Sequence, residues 1–406
     1  MGKTVLISGA GIAGPTLAYW LCQSGFTPSL IERAPALRTG GYIMDFWGVG
    51  FDVAERMQLL PRLRQVAHDV RALRIVDRRG RPVAGFGTAR VGHVLRRRYF
   101  SILRGELVSQ IHAALDGRIE TLFGDGIRAL HEDEAGIDVE FDHAAGRRFD
   151  LVIGADGLHS AVRRLVFGPE ARHETYLGYC AASFTADGYP HRDPDIYIAY
   201  CEPGKQVARF SLRDGRTVFF LVFALDEKPA VDRHDSAGQR GIVDRLLAGA
   251  GWECREILRM LDRSGQLYFD AVSQIRLDAW HRGRIALIGD AAFCPSLLAG
   301  EGSSLAMASA YVLAGELQRA SGDFRVAYPA YQGLLKRFID RKQRQAAAFA
   351  RKFAPRTGFG LAARNALSRL LDVPLVGDLM VRQMFADRLE LPEYGSPHRA
   401  QPWERR

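Results

Sequence analysis

Residues 284–317 read RIALIGDAAFCPSLLAGEGSSLAMASAYVLAGEL. Arg284 to Ile288 form an apolar run that predicts a buried strand, and Gly289-Asp290 breaks it. From Ser303 onward Leu305, Ala308, Val312 and Leu313 recur at helical spacing, so a helix is expected just past Gly300-Glu301-Gly302. Backbone N–H groups at a helix start lack intrahelical partners and lie at the positive end of the helix dipole. Strand, carboxylate, glycine turn and helix together therefore suit a group that carries negative charge. Gly300 and Gly302 would let a planar ligand come close to the backbone. The same pattern also fits an ordinary strand-turn-helix, and the N-terminus separates the two readings.

There Thr4 to Ser8 predicts a short strand that runs into Gly9-Ala10-Gly11-Ile12-Ala13-Gly14. An apolar-periodic helix follows from Pro15 to about Ser24, with proline where a first helical turn tolerates it. Gly25 ends that helix, and Pro28 to Ile31 predicts a second strand closing on Glu32, 18 residues after Gly14. This is close to the spacing at which a carboxylate meets the ribose hydroxyls of an adenine dinucleotide. Gly9, Gly11, Ala13, Gly14 and Glu32 are thus cofactor candidates. Glu32 would repel a 2′-phosphate, so FAD or NAD fits better than NADPH at this position. Arg33 reads either as a solvated strand end or as a partner for the adenine ring.

The 406 residues allow two domains and a large core, with 47% hydrophobic and 25% charged residues. Net charge is +9, but only six of the 55 basic residues are Lys, and the Arg excess is spread along the chain. No basic run is interleaved with aromatics, so nucleic-acid binding is not expected. Cys22, Cys180, Cys201, Cys254 and Cys294 are scattered, without ligand spacing to His, which argues against a metal site and fits a reducing cytoplasm. The N-terminus reads as a strand rather than a signal segment, and no apolar window is long enough to span a membrane.

Between these landmarks, residues 38–57 hold paired glycines, the single acid Asp45 among apolar neighbours, and an amphipathic helix. An isolated buried carboxylate is costly, so Asp45 is expected to be hydrogen-bonded, to structure or to ligand. Leu73 to Val83 predicts strands around a turn at Arg78 to Gly80, and Arg96 to Leu115 predicts a helix containing Arg104. Phe149 to Ile153 is another apolar strand, ending in Gly154-Ala155-Asp156-Gly157 with Arg163 beyond. From His173 to about Asp226 the pattern becomes alternating, aromatic-rich strands without helices, which predicts an antiparallel sheet. The expected fold is α/β. A Rossmann-like domain of residues 1–72, 95–172 and 273–325 carries an inserted β-sheet domain of residues 73–94 and 173–272. Residues 326–406 form a C-terminal helical brace. The crevice between the two domains is the default pocket.

Taken together, Gly9-Gly11-Gly14 with Glu32, Asp156-Gly157 with Arg163, and Gly289-Asp290 with Pro295 resemble the single-component FAD-dependent aromatic hydroxylases. These are the class A flavoprotein monooxygenases typified by para-hydroxybenzoate hydroxylase, and the resemblance covers nearly the whole chain. It implies that Glu32 holds the adenosine ribose, and that Arg104 and Asp290 approach the ribityl and pyrophosphate groups of FAD. Asp156, Gly157 and Arg163 would support the cofactor. Pro295, Gly300, Gly302 and Ser303 would surround the flavin ring, with N–H groups near N1 and O2 and no acid or base assigned. The segment GGYIMDFWGVG, which includes Asp45, is similar to one near the flavin in tetracycline-inactivating members. One departure is that Phe293 stands where the family often has His.

The resemblance further implies reduction by NADPH or NADH, addition of oxygen at flavin C4a, and transfer from the hydroperoxide to an electron-rich carbon. Such a pocket must exclude water. Met44, Phe46, Tyr179, Tyr197, Phe210, Phe220 and Pro295 are its candidate walls, for a small aromatic or polycyclic substrate. Neither stable membrane association nor a nucleic-acid partner is expected. Two other outcomes stay open: a flavin oxidoreductase that inserts no oxygen, and a flavin-bearing protein that sequesters its ligand.

Overall fold

The computed structural model describes residues 2–38, 40–385 and 389–395. Five parallel strands lie in the order Ile285–Leu287, Leu151–Gly154, Thr4–Ser8, Thr27–Glu32 and Thr121–Phe123. His281–Arg282 adds an antiparallel edge. Val5, Ile7, Leu151, Val152 and Ile153 are fully buried, as expected of short apolar strands covered on both faces. The chain leaves Thr4–Ser8 toward Thr27–Glu32 on one side, and later strands add on the other. Strand order therefore reverses at Thr4–Ser8, and the crevice at the carboxyl ends of the strands is where such sheets bind ligands. All three sequence motifs sit at those ends.

The predicted helix over Arg96 to Leu115 is corrected by the structure. Tyr99–Leu103 is a strand paired antiparallel with Ile43–Trp47, and the helix starts only at Arg104. The reason lies in the residues: YFSIL is aromatic and β-rich, and its Tyr99 and Ser101 hydroxyls both donate to Asp45 across the pair. A further strand, Ile127–Glu132, was not expected and joins Ile137–Phe141 and Arg147–Phe149 in a small sheet.

The second large sheet has seven strands, in the order Tyr268–Ile275, Glu174–Ala186, Thr217–Ala224, Lys205–Ser211, Ile196–Glu202, Ala72–Val76 and Pro82–Gly87. It is antiparallel except where Ile196–Glu202 runs parallel to Ala72–Val76. Its register assigns the aromatics to faces. Phe184, Phe219, Leu221 and Phe223 pack under the helices Ser236–Leu247 and Cys254–Arg263. Tyr179, Ala181, Phe220 and Val222 lie on the opposite face, with Ala350 and Ala354.

The helix Phe324–Phe353 begins as part of the main core, through Ala327, Tyr328, Tyr331, Leu335 and Ile339, and ends against the second sheet. Among the described residues no helix is long and apolar enough to cross a membrane.

Candidate active site

The glycine-rich turn after Thr4–Ser8 divides its glycines by task. A Cβ on Gly9, at φ +109°, would lie 2.5 Å from the Ala155 carbonyl oxygen, and one on Gly14 would meet the Gly9 oxygen at 1.9 Å. Those two permit close packing of strand and helix. A Cβ on Gly11 would meet only an Arg104 guanidinium nitrogen at 3.9 Å, so space for a ligand opens there. The helix Ala13–Gln23 has no side-chain cap at its start. Ala13 Cβ is 3.2 Å from the position of a Cβ on Gly289, which brings the first and third motifs together. At the end of Thr27–Glu32, the Glu32 carboxylate accepts the backbone N–H of Ala10 and of Ala34, each at 2.9 Å. Each oxygen keeps lone-pair capacity for a ribose hydroxyl. Arg33 packs its stem beside Gly126.

The second motif is a structural clasp. Asp156 accepts from the Ser160 hydroxyl at 2.5 Å and from the N–H groups of Ala161 at 2.7 Å and Val162 at 3.2 Å, holding the start of Ala161–Phe167. Arg163 is fully buried and donates to the carbonyls of Ala291 and Leu158 while pairing with Glu170 at 2.9 Å. It thereby ties this loop to the short helix Asp290–Phe293. Gly157, at φ +79°, has open space where a side chain would be. His159, which sequence reasoning did not single out, bridges Glu170 at 2.9 Å and Asp270 of the second sheet at 3.2 Å. Those bonds raise its pKa from 6.5 to about 9.

The cleft itself is marked by Tyr42, Asp45, Tyr197, Tyr268 and Asp290. Tyr42, Tyr197 and Asp290 are half-buried while Asp45 and Tyr268 reach the surface, and desolvation pushes the pKa of each upward. Tyr42 reaches about 12, with the positive charge of Arg104 pulling the other way. The same Arg104 charge partly offsets the burial of Asp290. Arg104 opens the helix Arg104–Ala113, and its N–H donates to the Tyr42 carbonyl at 3.1 Å. The Tyr42 ring lies 5.5 Å from Phe220 and 6.1 Å from Tyr268, so three aromatic rings meet across the crevice. Tyr42 and Tyr268 escaped sequence reasoning because nothing in their local patterns shows that the two segments face each other. Asp45 is committed to Tyr99 and Ser101, both at 2.7 Å, so its bonds are to structure.

Several expected wall residues are placed differently. Phe46 is wholly buried against Phe51 and Phe100, and Met44 belongs to the same core, so neither lines the cleft. Phe210 is buried with Leu103 and stacks edgewise on His68. Tyr179 is buried, with the Arg356 guanidinium over its ring. Tyr197 and Phe220 retain accessible surface.

The flavin-ring candidates form one loop. Pro295 is buried, and its carbonyl accepts from Gln274 at 2.8 Å. Ser296 holds φ +124°, a strained conformation for a non-glycine residue. Gly300, at φ +69°, is exposed with open space around its Cα, and Gly302 begins the uncapped helix Gly302–Arg319, with Ser303 next. A Cβ on Gly302 would lie 3.6 Å from an Asp290 oxygen. Two neighbouring residues of Phe324–Phe353 hold this loop. Gln343 donates to the carbonyls of Ile275, Phe293 and Cys294, and Lys342 pairs with Glu301 at 2.9 Å. Phe293 is buried against Trp280, with ring centroids 4.7 Å apart, so the residue in the usual His position faces the core.

The geometry fits FAD. Gly11 leaves open space beside the Arg104 guanidinium, the helices Ala13–Gln23 and Gly302–Arg319 start without a side-chain cap, and Glu32 keeps lone-pair capacity at the end of the second strand, a donor set that suits a phosphate-bearing dinucleotide. Comparison with known proteins agrees. Residues 107–323 match the family described as FAD binding domain. A flavin-dependent monooxygenase of Legionella longbeachae is 32% identical over 349 residues, covering 84% of this chain and 87% of that protein. The crystal structure of tetracycline destructase Tet(51) superposes with a TM-score of 0.84 at 28% identity, covering 97% of this chain and all of that one. Klebsiella pneumoniae HpxO, solved with FAD and uric acid, shares the fold with a TM-score of 0.76 at 24% identity, covering 95% and 96% of the two chains. The chain belongs to the FAD-dependent monooxygenases of the aromatic-hydroxylase class, and it is an enzyme whose cofactor is FAD.

Proposed function

We propose that the protein consumes NADPH or NADH to insert one oxygen atom into a flat aromatic or polyketide-like small molecule bound in the crevice between its two large sheets. The observation that carries this reading is the meeting of Tyr42, Phe220 and Tyr268 beside Arg104 and Asp290, which gives an aromatic clamp next to the cofactor loop. FAD, reduced by the nicotinamide and exposed to oxygen, supplies the oxidising chemistry. The chain's residues bind and orient. Glu32 takes the adenosine ribose, Arg104 the phosphates or ribityl chain, and Asp290 the ribityl side. The N–H groups of Gly302 and Ser303, at the positive end of an 18-residue helix, would favour the negative charge that a reduced flavin carries.

Water exclusion falls to Tyr42, Tyr197, Phe220 and Tyr268, with buried Pro295 behind the cofactor loop. Phe293, buried against Trp280, offers no titratable group where the family often has His, so no proton moves through that position. The names of the similar structures supply probes, namely tetracyclines and urate, to which simple fused-ring phenols are added. The reading is tested by nicotinamide oxidation by the flavin-loaded enzyme in air, with peroxide trapped. Ligand-stimulated oxidation with little peroxide supports it. A flavin that stays oxidised with both nicotinamides and every ligand favours the sequestering alternative instead.

A further inference from the structure

The helix Gly358–Leu370 lies on the surface with none of its residues fully buried. Leu361 packs inward on Ile75 and Ala199 of the second sheet, but most of the other apolar side chains face outward. Phe359, Ala362, Ala363, Ala366, Leu367 and Leu370 are all exposed and recur at three- and four-residue spacing. Arg364 turns inward, donating to the Phe353 carbonyl and to Gln206, while Arg369 runs along the surface to the Val83 carbonyl. A surface helix normally points its apolar stripe at the core, and this one leaves most of its stripe on the outer face. The exposed run continues through Val373, Leu375, Val376 and Leu379 into the helix Val376–Met384, with Phe359 86% and Leu375 82% exposed. Apolar exposure on this scale marks an interaction surface.

Charge identifies what it meets. Residues 341–385 contain nine basic side chains and two acidic ones, and of the bases Lys342 pairs with Glu301, Arg356 with Asp226, and Arg364 bonds within the fold. Both acids are engaged within the fold, Asp378 with Arg90 at 2.8 Å and Asp372 with the Gly87 N–H at 3.0 Å. Arg344, Arg351, Lys352 and Arg382 are exposed on either side of the apolar stripe in sequence. A second copy docked antiparallel on the same helix would set basic end against basic end with no free acid opposite, which disfavours self-association. An apolar stripe with basic flanks matches an anionic lipid surface, where the stripe enters the headgroup boundary and the flanks meet lipid phosphates.

We propose that residues 358–384 dock this enzyme peripherally on an anionic membrane surface. This departs from the sequence expectation of a packed brace without stable membrane association, because the amphipathic period was legible but its outward direction was not.

The test uses the flavin-loaded full chain floated with phosphatidylcholine vesicles, with and without phosphatidylglycerol. Binding is expected only with phosphatidylglycerol. It should fall roughly tenfold or more in the triple variant Phe359→Ser, Leu367→Ser, Leu370→Ser, in Arg351→Glu with Lys352→Glu, and at high salt. An unchanged flavin spectrum and melting curve would show that these variants fold. The proposal is overturned if the protein ignores both vesicle types, or if the triple variant binds as well as the parent. It is also overturned if light scattering shows a dimer that the triple variant disperses while no vesicle is bound.

Discussion

The carboxylate of Glu32 accepts the backbone N–H of Ala10 at 2.9 Å, joining the end of the second strand to the glycine-rich turn after the first. Its other oxygen accepts the Ala34 N–H. The residue therefore shapes the turn before any cofactor arrives and offers its remaining lone pairs to a ribose. Glu32→Gln should weaken FAD binding by roughly tenfold, about 1–2 kcal/mol for a charge-assisted bond made neutral, measured by flavin fluorescence titration. Glu32→Ala should in addition lower apoprotein stability by about 1–3 kcal/mol, because it strands the Ala10 and Ala34 donors.

The aromatic clamp predicts a different signature. Tyr268→Ala removes a ring 6.1 Å from Tyr42 and none of the groups assigned to FAD. Flavin content should stay unchanged while kcat/KM for a fused-ring substrate falls about tenfold, the order expected for losing an aromatic contact and its buried area. Phe220→Ala should act alike, since Phe220 meets Tyr42 from the other side.

Gln343 offers a test of the support behind the flavin loop. Its side-chain amide donates to three carbonyls in a buried setting, at Ile275, Phe293 and Cys294. Gln343→Leu should cost about 1–3 kcal/mol in unfolding free energy from the stranded acceptors. If the loop loosens as well, a larger share of consumed nicotinamide should appear as free peroxide.

His159 predicts a pH dependence of stability. Its folded pKa is raised from 6.5 to about 9 by hydrogen bonds to Asp270 and Glu170, and the ring is largely buried. A histidine raised in this direction contributes stability that is fully present below pH 6.5 and lost as pH rises through about 9, with a magnitude on the order of 2–3 kcal/mol. The melting-temperature gap between the parent and His159→Gln should be widest near pH 6.5 and narrow toward alkaline pH. A gap that widens toward pH 9 would contradict this assignment.

Much of this architecture is legible in the residues. Short apolar strands running into glycine and a carboxylate mark the carboxyl edge of a parallel sheet, and the placement of Gly9, Gly14 and Gly289 follows from close approaches that only glycine allows. The strand Tyr99–Leu103 was hidden because its five residues border a real helix, and only the pairing with Ile43–Trp47 reveals it. The pocket walls depend on strand register, which alternation alone leaves open. Phe219 and Phe220 are neighbours in sequence and face opposite sides of the sheet. Phe46 carries the same local signal as a pocket aromatic, but it closes on Phe51 and Phe100. Tyr42 with Tyr268, and His159 with Asp270, are contacts between segments more than a hundred residues apart, for which local pattern holds no information.

The most direct test of the central claim is single-turnover oxidation under isotopically labelled oxygen, with the enzyme reduced by NADPH or NADH and a fused-ring phenol or tetracycline bound. The account predicts a product that gains one labelled oxygen atom per nicotinamide consumed, with little peroxide. Oxidation of the reduced flavin that yields only peroxide with every bound ligand, and no labelled product, would contradict it.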